Sequence, residues 1–303
     1  MPRFTRLALA LTLCLVAGCG GSSTEAGEEP PPGTLKALWR APGEDVAIVP
    51  GTSDFAPGRV RLSFLVVDGQ GRVVTRPTAR VWLARGLSAK PFQTATARAE
   101  SIGVQGSDEA DVSEIFVTHL EVPKPGTYWV LAEPVGGRKI QALGNVVVAK
   151  RTAAPDVGDP AIASKTPTIA STGGDFAALT THKPPDRELL RSSIAEALAA
   201  KAPFVVTFAT PQFCTTRTCG PVVDVVDAVR KRFEGRGIRF IHVEIYTDND
   251  PAKGSNRWVN EWHLPSEPFT FLVGSDGLVK ARFEGTVSVR ELTEAVEREL
   301  KPS

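Results

Sequence analysis

The hydrophobic period of this chain changes once, and that change limits what each part can fold into. Between residues 34 and 150 apolar and polar residues alternate in short runs separated by turn residues. Arg59-Val-Arg-Leu-Ser-Phe-Leu-Val-Val67 is followed by Asp68-Gly-Gln-Gly71, and Thr78-Ala-Arg-Val-Trp-Leu-Ala84 by Arg85-Gly86. Further runs are Ser113–Val122, Tyr128–Ala132 and Ala142–Ala149. Period two with a turn every ten or so residues predicts strands, and about seven of them predict a β-sandwich. From residue 186 onward apolar residues recur at helical spacing, as at 189, 190, 194, 197 and 198, interspersed with short buried strands. Between the two parts, residues 151–185 are rich in Pro, Ala, Thr, Gly and Asp with Phe176 the only aromatic, which reads as a linker, free or laid along a domain surface.

Within 186–303 the expected order is a helix over 186–200, a strand at 204–209, a helix at 220–233 and a strand at 238–246. A short Trp-rich helix near 256–262 and the strands 269–273 and 278–283 follow. The final helix opens with Ser288-Val-Arg-Glu291, a capping box. In the first part, Pro125-Gly-Thr-Tyr128 resembles the entry to a late strand in bacterial immunoglobulin-like domains, which implies an immunoglobulin-like sandwich held by packing alone, since 34–150 contains no cysteine.

The N-terminus bears on the four cysteines. Arg3 and Arg6 precede an apolar run from Leu7 to Ala17, the length of a signal-peptide core and too short to span a bilayer. The run ends in Val16-Ala17-Gly18-Cys19, which resembles the lipobox of bacterial lipoproteins. The resemblance implies removal of residues 1–18, taking Cys14 with them, and a lipid on Cys19, with residues 19–33 as a flexible tether. The alternatives are an ordinary cleaved signal with an incidental cysteine, or an uncleaved N-terminal helix. Export places Cys214 and Cys219, the remaining pair, in an oxidising compartment where they are expected to form a disulfide with each other.

These two cysteines lie in Phe204-Val-Val-Thr-Phe-Ala-Thr-Pro-Gln-Phe-Cys214-Thr-Thr-Arg-Thr-Cys219-Gly-Pro-Val222, a buried strand, a loop and a helix start. A helix N-terminus stabilises a thiolate. Val-Val-Thr-Phe, Cys219-Gly-Pro and Ser266-Glu-Pro268-Phe-Thr270 together resemble the thioredoxin fold over roughly residues 186–300. The resemblance implies that Pro268 is cis and borders the reactive sulfur, making Cys214, Cys219 and Pro268 the catalytic candidates. Two registers stay open, with either cysteine as nucleophile. The spacing of four residues departs from the usual two, and the family's buried acid would fall at Thr207, where a hydroxyl cannot shuttle a proton near neutral pH.

Three functions compete. Thiol-disulfide exchange on exported proteins is the first; a non-catalytic binding module with a structural disulfide is the second. The third is copper handling of the kind found in cytochrome oxidase assembly factors, for which His263, five residues before Pro268, is the one plausible third ligand. His119, His182 and His242 read as sandwich, linker and strand residues. With 35 basic and 34 acidic residues there is no electrostatic footprint for nucleic acid. No cofactor motif is present. The sequence therefore predicts a lipid-anchored envelope protein with an N-terminal all-β immunoglobulin-like sandwich (34–150), a linker (151–185) and a C-terminal α/β thioredoxin-like domain (186–303). Its partners would be exported thiols or disulfides and the bilayer.

Overall fold

A computed structural model describes residues 29–40, 44–104, 112–136, 140–213 and 221–300. Cys19, with the expected signal segment, and Cys214 and Cys219 lie outside the described residues. After helix α1 (Leu35–Trp39) the alternating runs form seven strands: β1 (Glu44–Pro50), β2 (Gly58–Val67), β3 (Thr78–Ala84), β4 (Gln93–Ser101), β5 (Glu114–Val122), β6 (Gly126–Pro134) and β7 (Ile140–Val148). Alternation puts Leu62, Phe64 and Val66 of β2, Val81 and Leu83 of β3, and Tyr128, Val130 and Ala132 of β6 in one buried cluster. Tyr128 is fully buried, and its hydroxyl donates to the Lys124 carbonyl at 2.6 Å.

The strand order is β1-β2-β5-β4-β3-β6-β7, and the sheet closes on itself. Closure comes from β1, which pairs antiparallel with β2 through Ala47–Val67 to Pro50–Phe64 and parallel with β7 through Glu44–Ile140 to Ala47–Leu143. The expected immunoglobulin-like sandwich of two separate sheets is thereby corrected to a barrel. One strand supplies hydrogen bonds to both neighbours, so no edge is left open.

The second unit is built on β8 (Phe204–Phe208), β9 (Arg239–Val243), β10 (Phe269–Val273) and β11 (Val279–Glu284), in the order β11-β10-β8-β9. Its helices are α2 (Ile194–Ala199), α3 (Val222–Arg232), α4 (Arg257–Glu261) and α5 (Val289–Glu299). The expectation of a C-terminal α/β thioredoxin-like domain is corrected as well. The described chain is predominantly β, its helices are no longer than 11 residues, and two of the three pairs in this sheet are antiparallel. In this sheet only β8 and β9 pair in parallel, and the crossover between them runs through α3.

Every residue of β8 and β10 is buried, which explains why each is apolar except for one threonine, Thr207 and Thr270, whose hydroxyls pair with each other. Val205 and Leu272 pack with Val226, Val229 and Leu292 of α3 and α5. Phe204, Val206, Phe208 and Phe271 pack on the opposite face with Ile194, Val259 and Trp262. The helix expected over 186–200 is broken: a 3-10 turn at Glu188–Leu190 precedes α2, because Ser193 and Glu196 form a complete capping box in mid-segment.

Residues 151–185 run along this unit as a strap. Val279 donates to the Asp159 carbonyl and Gly158 to that of Val279, so the strap covers part of the β11 edge. Ala154 and Leu179 are buried, and the Ser164 hydroxyl donates to Glu261 while accepting from the Trp262 indole. Short hydroxyl side chains satisfy local polar groups, which lets a Pro/Thr-rich segment lie ordered without secondary structure.

Barrel and second unit meet in a polar contact. Arg61 of β2 pairs bidentately with Glu291 of α5 at 2.6 and 2.9 Å. Asp54 pairs with Arg282 at 2.6 Å, both almost fully buried, and Arg290 pairs with Glu100. Ile102 joins the apolar cluster of α3 and α5.

Candidate active site at one end of the second sheet

β8 ends at Phe208 and residues 209–213 follow; Cys214–Gly220 lie outside the described residues, and the description resumes at Pro221, the N-cap of α3. Pro268 is buried and immediately precedes β10, whose first residue, Phe269, is in register with Phe208. Pro268 therefore lies beside the end of β8. The Glu267–Pro268 peptide is cis; so is Lys183–Pro184, for which the sequence offered no signal.

Aromatic and carboxyl groups join these two segments. The ring of Phe213, the residue before Cys214, packs edge-on against Tyr246 with centroids 6.2 Å apart. The Tyr246 hydroxyl donates to Glu267 Oε1 at 3.3 Å. Glu244, at the end of the same strand segment, accepts at Oε1 from the Thr181 amide and hydroxyl at 2.5 and 2.7 Å. Thr181 Oγ1 in turn accepts from the Gln212 amide at 3.2 Å. Among the described residues, Oε2 of both Glu244 and Glu267 is buried without a hydrogen-bond partner. Burial pushes the Glu267 carboxyl up, and the nearby Glu244 charge adds to the effect.

Two histidines assigned by sequence to strand and linker also stand here. His242 is buried; its Nε2–H donates to the Ala209 carbonyl at 3.0 Å, leaving Nδ1 to accept from Thr180 at 3.3 Å. Burial pulls its imidazole down, so it stays neutral. His182 faces Asp224 in the first turn of α3 at 3.0 Å, and its other nitrogen faces the Pro184 carbonyl at 2.8 Å. The Asp224 hydrogen bond raises the imidazole above its ordinary 6.5, while partial burial works against it.

A pH dependence follows from that shift. A histidine whose folded pKa exceeds its unfolded value contributes stability fully present below about pH 6.5 and lost as pH rises through the folded pKa. Thermal unfolding of the wild type and His182→Asn is expected to differ more at about pH 5.5 than at about pH 8.5. Equal differences at both values would remove the protonated pair from the account.

Thr207 is buried in the middle of the sheet, 3.0 Å from the Thr270 hydroxyl. The titratable carboxyls of this end come instead from β9's continuation and the loop before Pro268. Sequence reading missed Glu244, which belongs to no motif, and gave no role to Glu267, although it stands inside the Ser266-Glu-Pro268 segment. His263 is exposed, at φ 50, and lines a groove of about 640 Å³ with Lys150, Arg151 and Asp156. Among the described residues no cluster of three metal-ligating side chains occurs.

No family model and no curated protein matches the chain. Among solved structures, it is similar to the PKD domain of the human VPS10 domain-containing receptor SorCS2 at 18% identity, over 36% of this chain and 75% of that one, with a TM-score of 0.20. A cycloisomaltooligosaccharide glucanotransferase of Paenibacillus sp. complexed with cycloisomaltoheptaose is similar at 17% identity, over 45% of this chain and 18% of the enzyme, with a TM-score of 0.21. Scores this low inform neither the fold nor the activity of this chain.

Proposed function

We propose that the protein is held by a lipid on Cys19 at the extracytoplasmic side of a bacterial membrane and exchanges disulfides with exported proteins through Cys214 and Cys219. The observation that carries the reading is the Phe213–Tyr246–Glu267 chain, which ties the residue before Cys214 to the residue before Pro268. It ends in a carboxyl with an unpaired oxygen, next to a second one on Glu244. Such a site supplies what exchange needs: the start of α3 directly after the cysteines, a bordering wall at Pro268, and carboxyl groups that take up or release protons.

In the reaction a thiolate of the pair attacks one sulfur of a substrate disulfide. A protein–substrate S–S bond forms, the substrate S–S bond breaks, and the departing substrate sulfur takes up a proton. The second cysteine, deprotonated, then attacks the mixed disulfide. This releases the substrate as a dithiol, two electrons richer, and leaves Cys214–Cys219 oxidised; the reverse sequence transfers the disulfide outward. Continued reduction of substrates requires an external dithiol to reduce the pair again.

Replacing the resolving cysteine prevents the second attack. One of Cys214→Ser and Cys219→Ser is expected to accumulate mixed disulfides in the membrane fraction of a bacterial host, visible as adducts that collapse on reduction, and the double variant none. The wild-type pair is expected to equilibrate with glutathione. A reduction potential below about −300 mV together with no trapped adduct would make the bond a structural staple and end the exchange reading.

A further inference from the structure

Glu284, the last residue of β11, is a buried carboxylate with no cation bound to its oxygens among the described residues. It is held by neutral donors from two places. From the barrel come the Ser53 and Asp54 amides, each donating to Oε2 at 2.8 Å, and the Ser53 hydroxyl, donating to Oε1 at 2.6 Å. From the loop before β10 comes the Ser266 hydroxyl, donating to the same Oε1 at 2.6 Å. A carboxylate offers about four lone-pair sites, so this one is saturated.

The main chain repeats the connection. Glu284 is in register with Phe269, and the Gly285 amide donates to the Pro268 carbonyl at 2.8 Å. Gly285 also touches the barrel: a Cβ built on it would lie 2.2 Å from the Gly51 carbonyl oxygen. Barrel residues 51–54 and loop residues 266–268 are thus fastened to the same two residues.

Docking alone does not require this arrangement. The two units already meet through Arg61–Glu291, Arg290–Glu100 and the apolar contacts of Ile102. Burying a further carboxylate carries a desolvation cost that packed apolar residues would avoid, so its retention points to specification of a geometry. The geometry specified is that of Ser266, two residues before Pro268.

We propose that Glu284 is a positioning residue through which the barrel fixes the 266–268 segment, which Tyr246 joins to Phe213, so that the barrel sets the reactivity of the thiol pair. The inference rests on the thiol-exchange reading. It assigns the N-terminal unit a part in the reaction.

The test uses the full chain and three variants. Ser266→Ala removes only the last link and leaves the barrel contacts to Glu284 in place; Glu284→Gln discharges the centre. Arg290→Gln loosens the contact on the α5 side and serves as the docking control. Each is read by the glutathione equilibrium of the cysteine pair, the rate of reduction of a model protein disulfide and its pH profile, with thermal unfolding to establish that it is folded. Ser266→Ala is expected to lower the exchange rate by about tenfold and displace the pH profile, since small misplacements at a reacting centre cost up to about a hundredfold. Arg290→Gln is expected to stay within about twofold of the wild type, the size of an ordinary surface change. If the wild type exchanges but folded Ser266→Ala matches it in rate, equilibrium and pH profile, the positioning role is overturned while the exchange reading stands. If Arg290→Gln shifts them as much as Ser266→Ala does, the effect is one of docking and the role is likewise overturned. A wild type that exchanges with nothing removes both.

Discussion

Asp54→Ala is expected to lower the free energy of unfolding by about 3–5 kcal/mol, the cost of breaking a buried ion pair from one side. The aspartate is 6% exposed and Arg282 11% at the side chain, so neither charge has water to fall back on. Asp54 also accepts from the Ala153 and Ala154 amides at 2.7 and 3.1 Å, fastening the start of the strap. Removing the carboxylate therefore strands one guanidinium and two amides. Arg282 keeps carbonyl contacts to Ala154 and Pro155 and its place over the Phe269 ring, which limits the loss. Chemical denaturation at neutral pH measures the effect; a change under about 1 kcal/mol would mean that water reaches the pair.

Gly285→Ala is expected to be comparably damaging, by about 3 kcal/mol or more, from two independent causes. The residue sits at φ +73, where a side chain costs roughly 1 kcal/mol or more, and the new methyl would meet backbone, the Gly51 carbonyl oxygen, at 2.2 Å. Backbone at both sides cannot rotate away as a side chain could. Gly277→Ala is the informative companion: it has φ +78 but only the Leu198 methyl at 3.5 Å, so it isolates the conformational part. If both variants lose the same stability in denaturation, the barrel contact is softer than described. Asp54 and Gly285 share one interface, so the double variant is expected to lose less than the two single losses added together.

Where local chemistry decided the outcome, the sequence was readable. β10 spans Phe269–Val273 as its four apolar residues and the preceding proline indicate, and the short Trp-rich helix expected near 256–262 forms as α4, with Asn256 accepting from the Trp258 and Val259 amides at its start. Long-range competition decided the rest. At α5, Ser288 accepts from the Glu291 amide as a capping box requires, yet the Glu291 carboxylate turns to Arg61 and leaves the box half made. β1 and β4, the strands that the alternation displayed least, are the ones whose pairing closes and completes the barrel. Gln93-Thr-Ala-Thr-Ala-Arg-Ala-Glu-Ser101 carries little apolar volume, so its strand character comes from its neighbours β3 and β5.

The site was legible to the extent that it followed the chain. Cys214, Cys219 and Pro268 stand out in the sequence through their neighbours, whereas Glu244, Glu267, His182 and Asp224 come together only through tertiary contacts. Thr181 shows why: a single threonine in a Pro/Thr-rich segment links Gln212 to Glu244, and nothing in its local sequence distinguishes it from the other threonines there.

The fastening at Glu284 also orders events in time. Ser53 and Asp54 find their acceptor 231 and 230 residues further along the chain. A ribosome makes the barrel strands first, and domains fold as they emerge. Until β11 and α5 have been made, the barrel residues 51–54 and the Arg61 guanidinium remain without these partners. Residues 266–268 acquire their final shape only after β11, made later than every barrel strand, arrives to join the two units.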